Sequence, residues 1–394
     1  MRLPGDSWLG YCLNVHPTQR FAEVEAALRG PVRRVKRQLC PDASFAVGLR
    51  LSAEAAADPE AAAKLVRIFA EEGYAAYTMN GFPYGRFHGA PVKIAAYEPD
   101  WANPARRRYT ADLARIMSTL AAVGQTVSIS TVPGGFGPTL RGREAEVAEG
   151  LLHSVADLIE IERRTGRTVA LALEPEPWCL LETTADCVTF FRDWLFSPAA
   201  IRHLADLASI TVADAETAMP RHIGLCLDVC HMAVAFETPE ATLAALAGAG
   251  IPIHKIQLSA ALRIDRMNPA ARRRIAGFQD EIYLHQVVAR SADGSLRRVL
   301  DLPQALADDP LVEDEEWRVH FHVPVFADLA PPLASTRDVL ERVLALHRAQ
   351  PICRHLEVET YTWDVLPAGI GIGADLSVVD GIERELRWVL HQLA

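Results

Sequence analysis

Lysine is nearly missing from this chain: Lys36, Lys64, Lys93 and Lys255 are all it has in 394 residues. Arginine carries the positive charge instead, which reads as a coding preference more than a physical signal. The formal net charge is -10, and no basic stripe with interleaved aromatics appears. That argues against a nucleic-acid surface. The short runs Arg106–Arg108 and Arg272–Arg274 read as solvated helix faces. No basic segment leads into an apolar one, and no run of eighteen apolar residues occurs, so neither a signal peptide nor a membrane-inserted helix is expected. The seven cysteines form no C-x-x-C pair. They read as reduced, small apolar residues of a cytoplasmic protein. There is no G-x-S-x-G elbow and no P-loop lysine, so serine-hydrolase and NTPase readings have no anchor.

What the chain does have is a repeated ending. Six short apolar-alternating runs finish in a carboxylate, a histidine or an amide: Gly10–His16, Thr168–Glu176, His222–His231, Pro252–Ser259, Arg318–Pro324 and His355–Tyr361. Ionisable groups at the C-terminal ends of parallel strands are where a (β/α)8 barrel builds its site.

The wider pattern agrees. Strands are expected at 10–15, 45–51, 74–79, 126–132, 168–174, 223–228, 253–259 and 355–361. Helical spacing is expected at 18–29, 58–72, 104–123, 143–165, 186–208, 238–248 and 377–393. Eight strands alternating with helices predict parallel strands with crossover helices, closed into a TIM barrel spanning residues 1–394. Parity sorts each strand. In Ile223–Asp228, Gly224, Cys226 and Asp228 share one face, and Ile223, Leu225 and Leu227 the other. Bulky residues face the helices; small or polar ones face the lumen.

Residues 263–333 do not fit a minimal barrel. Strand-like runs at Tyr283–Arg290, Ser295–Leu302 and Arg318–Phe326, the first two joined by Ala292-Asp293-Gly294, predict an antiparallel insertion after the seventh strand, capping the mouth. The alternative is that His320–Val325 is itself a barrel strand.

Glu174, Glu176, Asp228, Glu357 and Glu359 converge at that mouth. Unpaired buried carboxylates cost several kcal/mol each. Lys255 alone cannot neutralise them, and Arg50 is a candidate helper. One divalent cation (Mn2+, Mg2+ or Zn2+) resolves the excess, held by Glu174, Asp228 and Glu359 with Gln257 or a histidine as fourth ligand. Parity allows either member of the pairs Glu174/Glu176 and Glu357/Glu359. The competing reading is an Arg/Lys–carboxylate network that only glues the barrel. His320-Phe-His322 puts two imidazoles on one face, a common ligand spacing. His231 stands three residues after Asp228, and Asn14 and His16 end the first run. The Pro133–Gly137 loop is a weak candidate for backbone contact with a ligand.

The order Leu-Ala-Leu-Glu174-Pro, Leu-Asp228-Val-Cys-His231-Met, Ile-His-Lys-Ile-Gln257-Leu-Ser and Leu-Glu-Val-Glu359-Thr resembles the xylose isomerase-like TIM-barrel superfamily over nearly the whole chain. Within it, Gly-Tyr-Cys-Leu-Asn14-Val-His16-Pro, Pro133-Gly-Gly-Phe and His320-Phe-His322-Val-Pro resemble the EboE family of metabolite-traffic proteins. The resemblance implies metal-binding Glu174, Asp228 and Glu359, with His231 beside the substrate. In an enzyme, Glu174, His231 and Glu359 are the candidate catalytic groups, and Asn14, His16, Lys255, Glu176 and Glu357 the candidate substrate contacts. The resemblance also implies a small polar or glycosylated metabolite and a UbiA-like membrane partner. Gln257 departs from the histidine that isomerases of the superfamily usually carry on the seventh strand, so either His320 or His322 replaces it, or metal affinity is reduced, or a harder ion such as Mn2+ or Mg2+ binds. Three functions follow: an isomerase or epimerase, a non-catalytic delivery protein, and a metal-dependent phosphoesterase.

Overall fold

The computed structural model describes residues 1–307, 312–367, 370 and 376–394. Seven parallel strands come first: β1 Trp8–Cys12, β2 Phe45–Arg50, β3 Tyr74–Asn80, β4 Thr126–Thr131, β5 Thr168–Leu173, β6 Ile223–Asp228 and β7 Ile253–Leu258. Five strands of a second sheet follow: β8 Ala261–Ile264, β9 Val287–Arg290, β10 Leu296–Val299, β11 Glu316–His322 and β12 Ala334–Ser335. Last is β13 His355–Val358. The first seven and β13 close a parallel barrel in the order β1-β13-β7-β6-β5-β4-β3-β2. This is the expected (β/α)8 barrel.

The antiparallel sheet runs β10-β9-β11-β8-β12 and leaves the barrel directly after β7. The alternative for His320–Val325 therefore falls, because β11 pairs antiparallel with β8 and β9. The hairpin turn stands where expected: Gly294 takes φ +85° and Asp293 accepts from the Ser295 N–H at 2.9 Å. A register irregularity lies between Val319 and His322. Such bulges re-aim side chains beside sites. The reach of the sheet to Ala261 and Ser335 goes past residues 263–333, because these flanking strands are too short to show alternation.

Local differences have local causes. The first strand stops at Cys12, and Leu13–Val15 coils into one 3-10 turn. The run 355–361 leaves the ladder after Val358. The helical stretch 186–208 breaks at Pro198, which starts a new helix, Pro198–Ala208. The helices Val212–His222 and Arg337–Ala349 were not expected. In the second, Leu340, Val343, Leu344 and His347 form the buried stripe. The Pro133–Gly137 loop packs against protein: a Cβ on Gly135 would lie 2.6 Å from Asp100.

Small residues make room in the lumen. A Cβ on Gly48 would sit 1.4 Å from Oε1 of the buried Glu357. Gly48→Ala is expected to destabilise by about 1–3 kcal/mol in denaturant titration. Gly30, with nothing within 4 Å of its Cβ position, is the control and should tolerate alanine without loss.

Candidate metal centre

Each carboxylate is delivered by the end of a strand. Glu174 follows β5 and keeps the ladder for one more bond, its N–H donating to Thr131 O at 3.0 Å. Asp228 ends β6 and caps the short helix Val229–Val234, accepting the His231 N–H at 3.1 Å. That cap puts His231 in the first turn, over the mouth. Glu359 follows β13, its N–H donating to Leu258 O at 3.2 Å.

Glu174, Asp228 and Glu359 are buried, and each offers an oxygen within 4.8 Å of the others. Gln257 rises among them from β7. Its Nε2 donates to Glu174 Oε1 at 3.0 Å and Asp228 Oδ2 at 3.1 Å, and it also contacts Glu359 Oε2. One amide has two N–H groups for these three acids. Its Oε1 faces Cys226 Sγ at 3.3 Å. The amide is thus turned opposite to what ligation through the carbonyl oxygen requires. A half-turn would put Oε1 where Nε2 stands.

Among the described residues, Glu174 Oε2 has no hydrogen-bond partner. A buried carboxylate oxygen without a donor, beside two other acids, calls for a cation. Three carboxylates make a hard donor set, suited to Mn2+ or Mg2+. The residues therefore fit one divalent ion.

Burial, then Glu359 and Asp228, push the Glu174 carboxyl well above its ordinary range. Burial raises Glu359 to about 7, with Asp228 and Glu357 adding to it and Lys255 and Asn14 opposing. Burial alone would raise Asp228; His231, His322 and Ser259 reverse that and hold it low. Protons on Glu174 and Glu359 must leave when a cation binds. Mn2+ affinity is therefore expected to rise with pH across about 6 to 8, by up to about tenfold per unit for each proton displaced. Calorimetry in buffers of different ionisation enthalpy checks this. A heat independent of buffer would contradict it.

Above the acids lies a cavity of about 60 Å3, room for roughly four waters. Asn14, Glu174, Glu176, His231, His320, His322 and Glu359 all line it. Asp228 and Gln257 lie just beneath.

Three expected substrate contacts fall elsewhere. Lys255 and Glu357 share the lumen face but sit one layer deeper, paired at 2.5 Å and fully buried. Two residues along a strand is roughly 6.6 Å of depth, which parity alone does not register. His16 turns outward, because the 3-10 turn rotates it onto Tyr11, with ring centroids 5.8 Å apart. The same turn brings Asn14 inward, its Nδ2 donating to Glu359 Oε1 at 2.8 Å. Arg50 gives the acids no help; it donates to Thr18 Oγ1 at 2.7 Å and Pro83 O at 3.2 Å.

Other site residues were not anticipated. Asn80 donates to Glu359 Oε1 at 3.2 Å. It ends β3 in an amide, the same signature as the other strand ends, so it was findable. Tyr97 donates to Glu176 Oε1 at 2.7 Å, and Gln286 donates to Tyr97 Oη at 2.7 Å. These two come from the connection after β3 and from the cap, and no motif marks them.

A scan against protein-family models finds no match, and a search of curated proteins finds none. Among solved structures, the chain is similar to an IolI protein with a bound zinc atom, at 10% identity over 98% of each chain and a TM-score of 0.44. It is also similar to a xylose isomerase domain protein from Planctomyces limnophilus, at 13% identity over 88% of this chain and 86% of that one, with a TM-score of 0.43. A family 2 AP endonuclease from Brucella melitensis gives 13% identity, coverages of 64% and 78%, and a TM-score of 0.37.

Proposed function

We propose that this chain is an EboE-like metabolite-handling protein that moves a proton on a small polar or glycosylated metabolite, as an isomerase or epimerase does. The observation that carries the reading is the meeting of Glu174, Asp228 and Glu359 within 4.8 Å, with Glu174 Oε2 unpartnered among the described residues. A divalent cation bound there would polarise a substrate carbonyl or hydroxyl. The protein's own groups do the rest. Glu359 lines the cavity, where its carboxylate can take a proton from a substrate and return it. Asn14 and Asn80 both donate to its Oε1 and fix its plane. His231 is held by Pro175 O at 2.8 Å through Nδ1, which leaves Nε2 toward the cavity to meet a substrate oxygen.

A second reading is a non-catalytic delivery protein that passes its metabolite to a UbiA-like membrane partner. Gln257 favours it, because its Nε2 is turned toward the three acids and its carbonyl oxygen, the atom that could ligate, faces Cys226 Sγ instead. In the described residues no helix is long and apolar enough to cross a membrane.

Deuterium exchange separates the two. The Mn2+-loaded protein is incubated in D2O with aldoses, ketoses and cyclitols and followed by NMR. Deuterium at a carbon beside a carbonyl, lost in Glu359→Gln, supports proton transfer. Saturable ligand binding without exchange in any member of the panel overturns catalysis and supports delivery.

A further inference from the structure

We propose that the Gln257 amide turns over when a cation enters the carboxylate site, and that the Cys226 thiol is the pivot that serves both orientations. This turn rests on the reading of Glu174, Asp228 and Glu359 as cation ligands.

Strand register sets the pivot. Asp228 of β6 lies opposite Gln257 of β7, and Cys226 lies opposite Lys255, one layer down. Cys226 and Gln257 are both fully buried. Gln257 Oε1 faces Cys226 Sγ at 3.3 Å and has no other hydrogen-bond partner among the described residues. A carbonyl oxygen only accepts, so the thiol donates. Burial, then Glu174, pushes the Cys226 thiol well above its ordinary range, which keeps the proton on sulfur. The acids meet the other end of the amide. Nε2 reaches Glu174 Oε1 at 3.0 Å, Asp228 Oδ2 at 3.1 Å and Glu359 Oε2, with two N–H groups for three acceptors. Glu174 Oε2 is left without a donor among the described residues.

A cation among these oxygens reverses what the amide should present. Its N–H groups carry partial positive charge and are repelled. Its carbonyl oxygen is a hard donor of the kind that Mn2+ or Mg2+ takes. The terminal torsion of glutamine is broad and roughly two-fold, so a half-turn exchanges the two ends with little movement of the rest of the side chain. Oε1 then stands among the three acids, and Nε2 faces the sulfur. A thiol is a weak donor and its sulfur a weak acceptor. Cys226 can therefore donate to Oε1 in one state and accept from Nε2 in the other, and it holds neither orientation firmly. Valine at this place could do neither, and would leave one end of a buried amide without a partner in both states. Cys226 is thus a positioning residue: it acts on the cation through Gln257.

The S–H stretching band of Cys226 reports the turn, because a thiol that donates absorbs at lower frequency than one that does not. Infrared difference spectra are taken of metal-free and Mn2+-saturated protein, with bound Mn2+ counted by equilibrium dialysis. The band is assigned by its absence in Cys226→Val and, independently, in Cys226→Ser, which keeps a donor and an acceptor at that place. This separates it from the band of Cys12, whose Sγ lies 3.8 Å from Glu359 Oε1. In wild type the Cys226 band is expected to rise on Mn2+ binding, to the frequency it holds in Gln257→Leu, where no amide oxygen can accept. Gln257→Leu is also expected to bind Mn2+ more weakly, because a ligand is lost. Tighter binding in that variant would show that the amide only competes with the ion, and would overturn the turn. One Mn2+ bound per chain with the Cys226 band unmoved would overturn it too, and would leave the carboxylate site standing. No bound Mn2+ would remove both.

Discussion

Lys255→Met is expected to lower stability by about 3–5 kcal/mol, read from denaturant unfolding at neutral pH. Lys255 and Glu357 have no exposed side-chain surface, and their N–O distance is 2.5 Å. Burial works against the ammonium charge, but Glu357 and Glu174 outweigh it and keep Lys255 protonated. Methionine fills the stem's volume but leaves Glu357 without its cation, one layer below three further acids. The cost comes from the stranded charge, so removing both charges should recover most of it. Lys255→Met with Glu357→Gln is therefore expected to lie closer to wild type than the single variant. Equal losses in the two would show that lost packing dominates, and that the pair is not what neutralises the lower lumen.

Glu174→Gln is expected to be nearly silent without metal and to abolish the response to it. Burial, Glu359 and Asp228 push the Glu174 carboxyl well above its ordinary range and so favour its neutral form in the metal-free protein, of which glutamine is close to an isostere. Its Oε1 still accepts from Gln257, as Glu174 does at 3.0 Å. In chelator the variant should lie within about 1 kcal/mol of wild type. Mn2+ at a hundred times its Kd should stabilise wild type by about 2.7 kcal/mol. That is roughly 3 °C in Tm for a chain of this size. The variant should gain nothing. A large loss in chelator, with no metal response in either protein, would mean that Glu174 only glues the barrel.

Much of this was legible in the chain. All eight barrel strands follow from alternation, and the polar endings mark the mouth. The carboxylate trio was only partly legible: parity allowed either member of Glu174/Glu176 and Glu357/Glu359, motif chose between them, and the structure brings Glu174, Asp228 and Glu359 together. Depth was not legible. Lys255 and Gln257 share a face, yet one is paired in the dry lumen and the other meets the acids. Irregular backbone was not legible either. The turn at Leu13–Val15 decides that Asn14 points in and His16 out, and no periodic pattern encodes it. The cap residues were only partly legible. His320 and His322 announce themselves by spacing, whereas Tyr97 and Gln286 act through tertiary contacts between distant segments.

The most direct measurement is elemental analysis of the protein purified without added metal or chelator, beside a Glu174→Gln/Glu359→Gln variant. Both substitutions leave the histidine cluster intact. The predicted result is a stoichiometric divalent ion in wild type and one ion fewer in the variant, with both folded alike. The same metal content in the two, or none in either, would contradict a carboxylate-held cation at the barrel mouth.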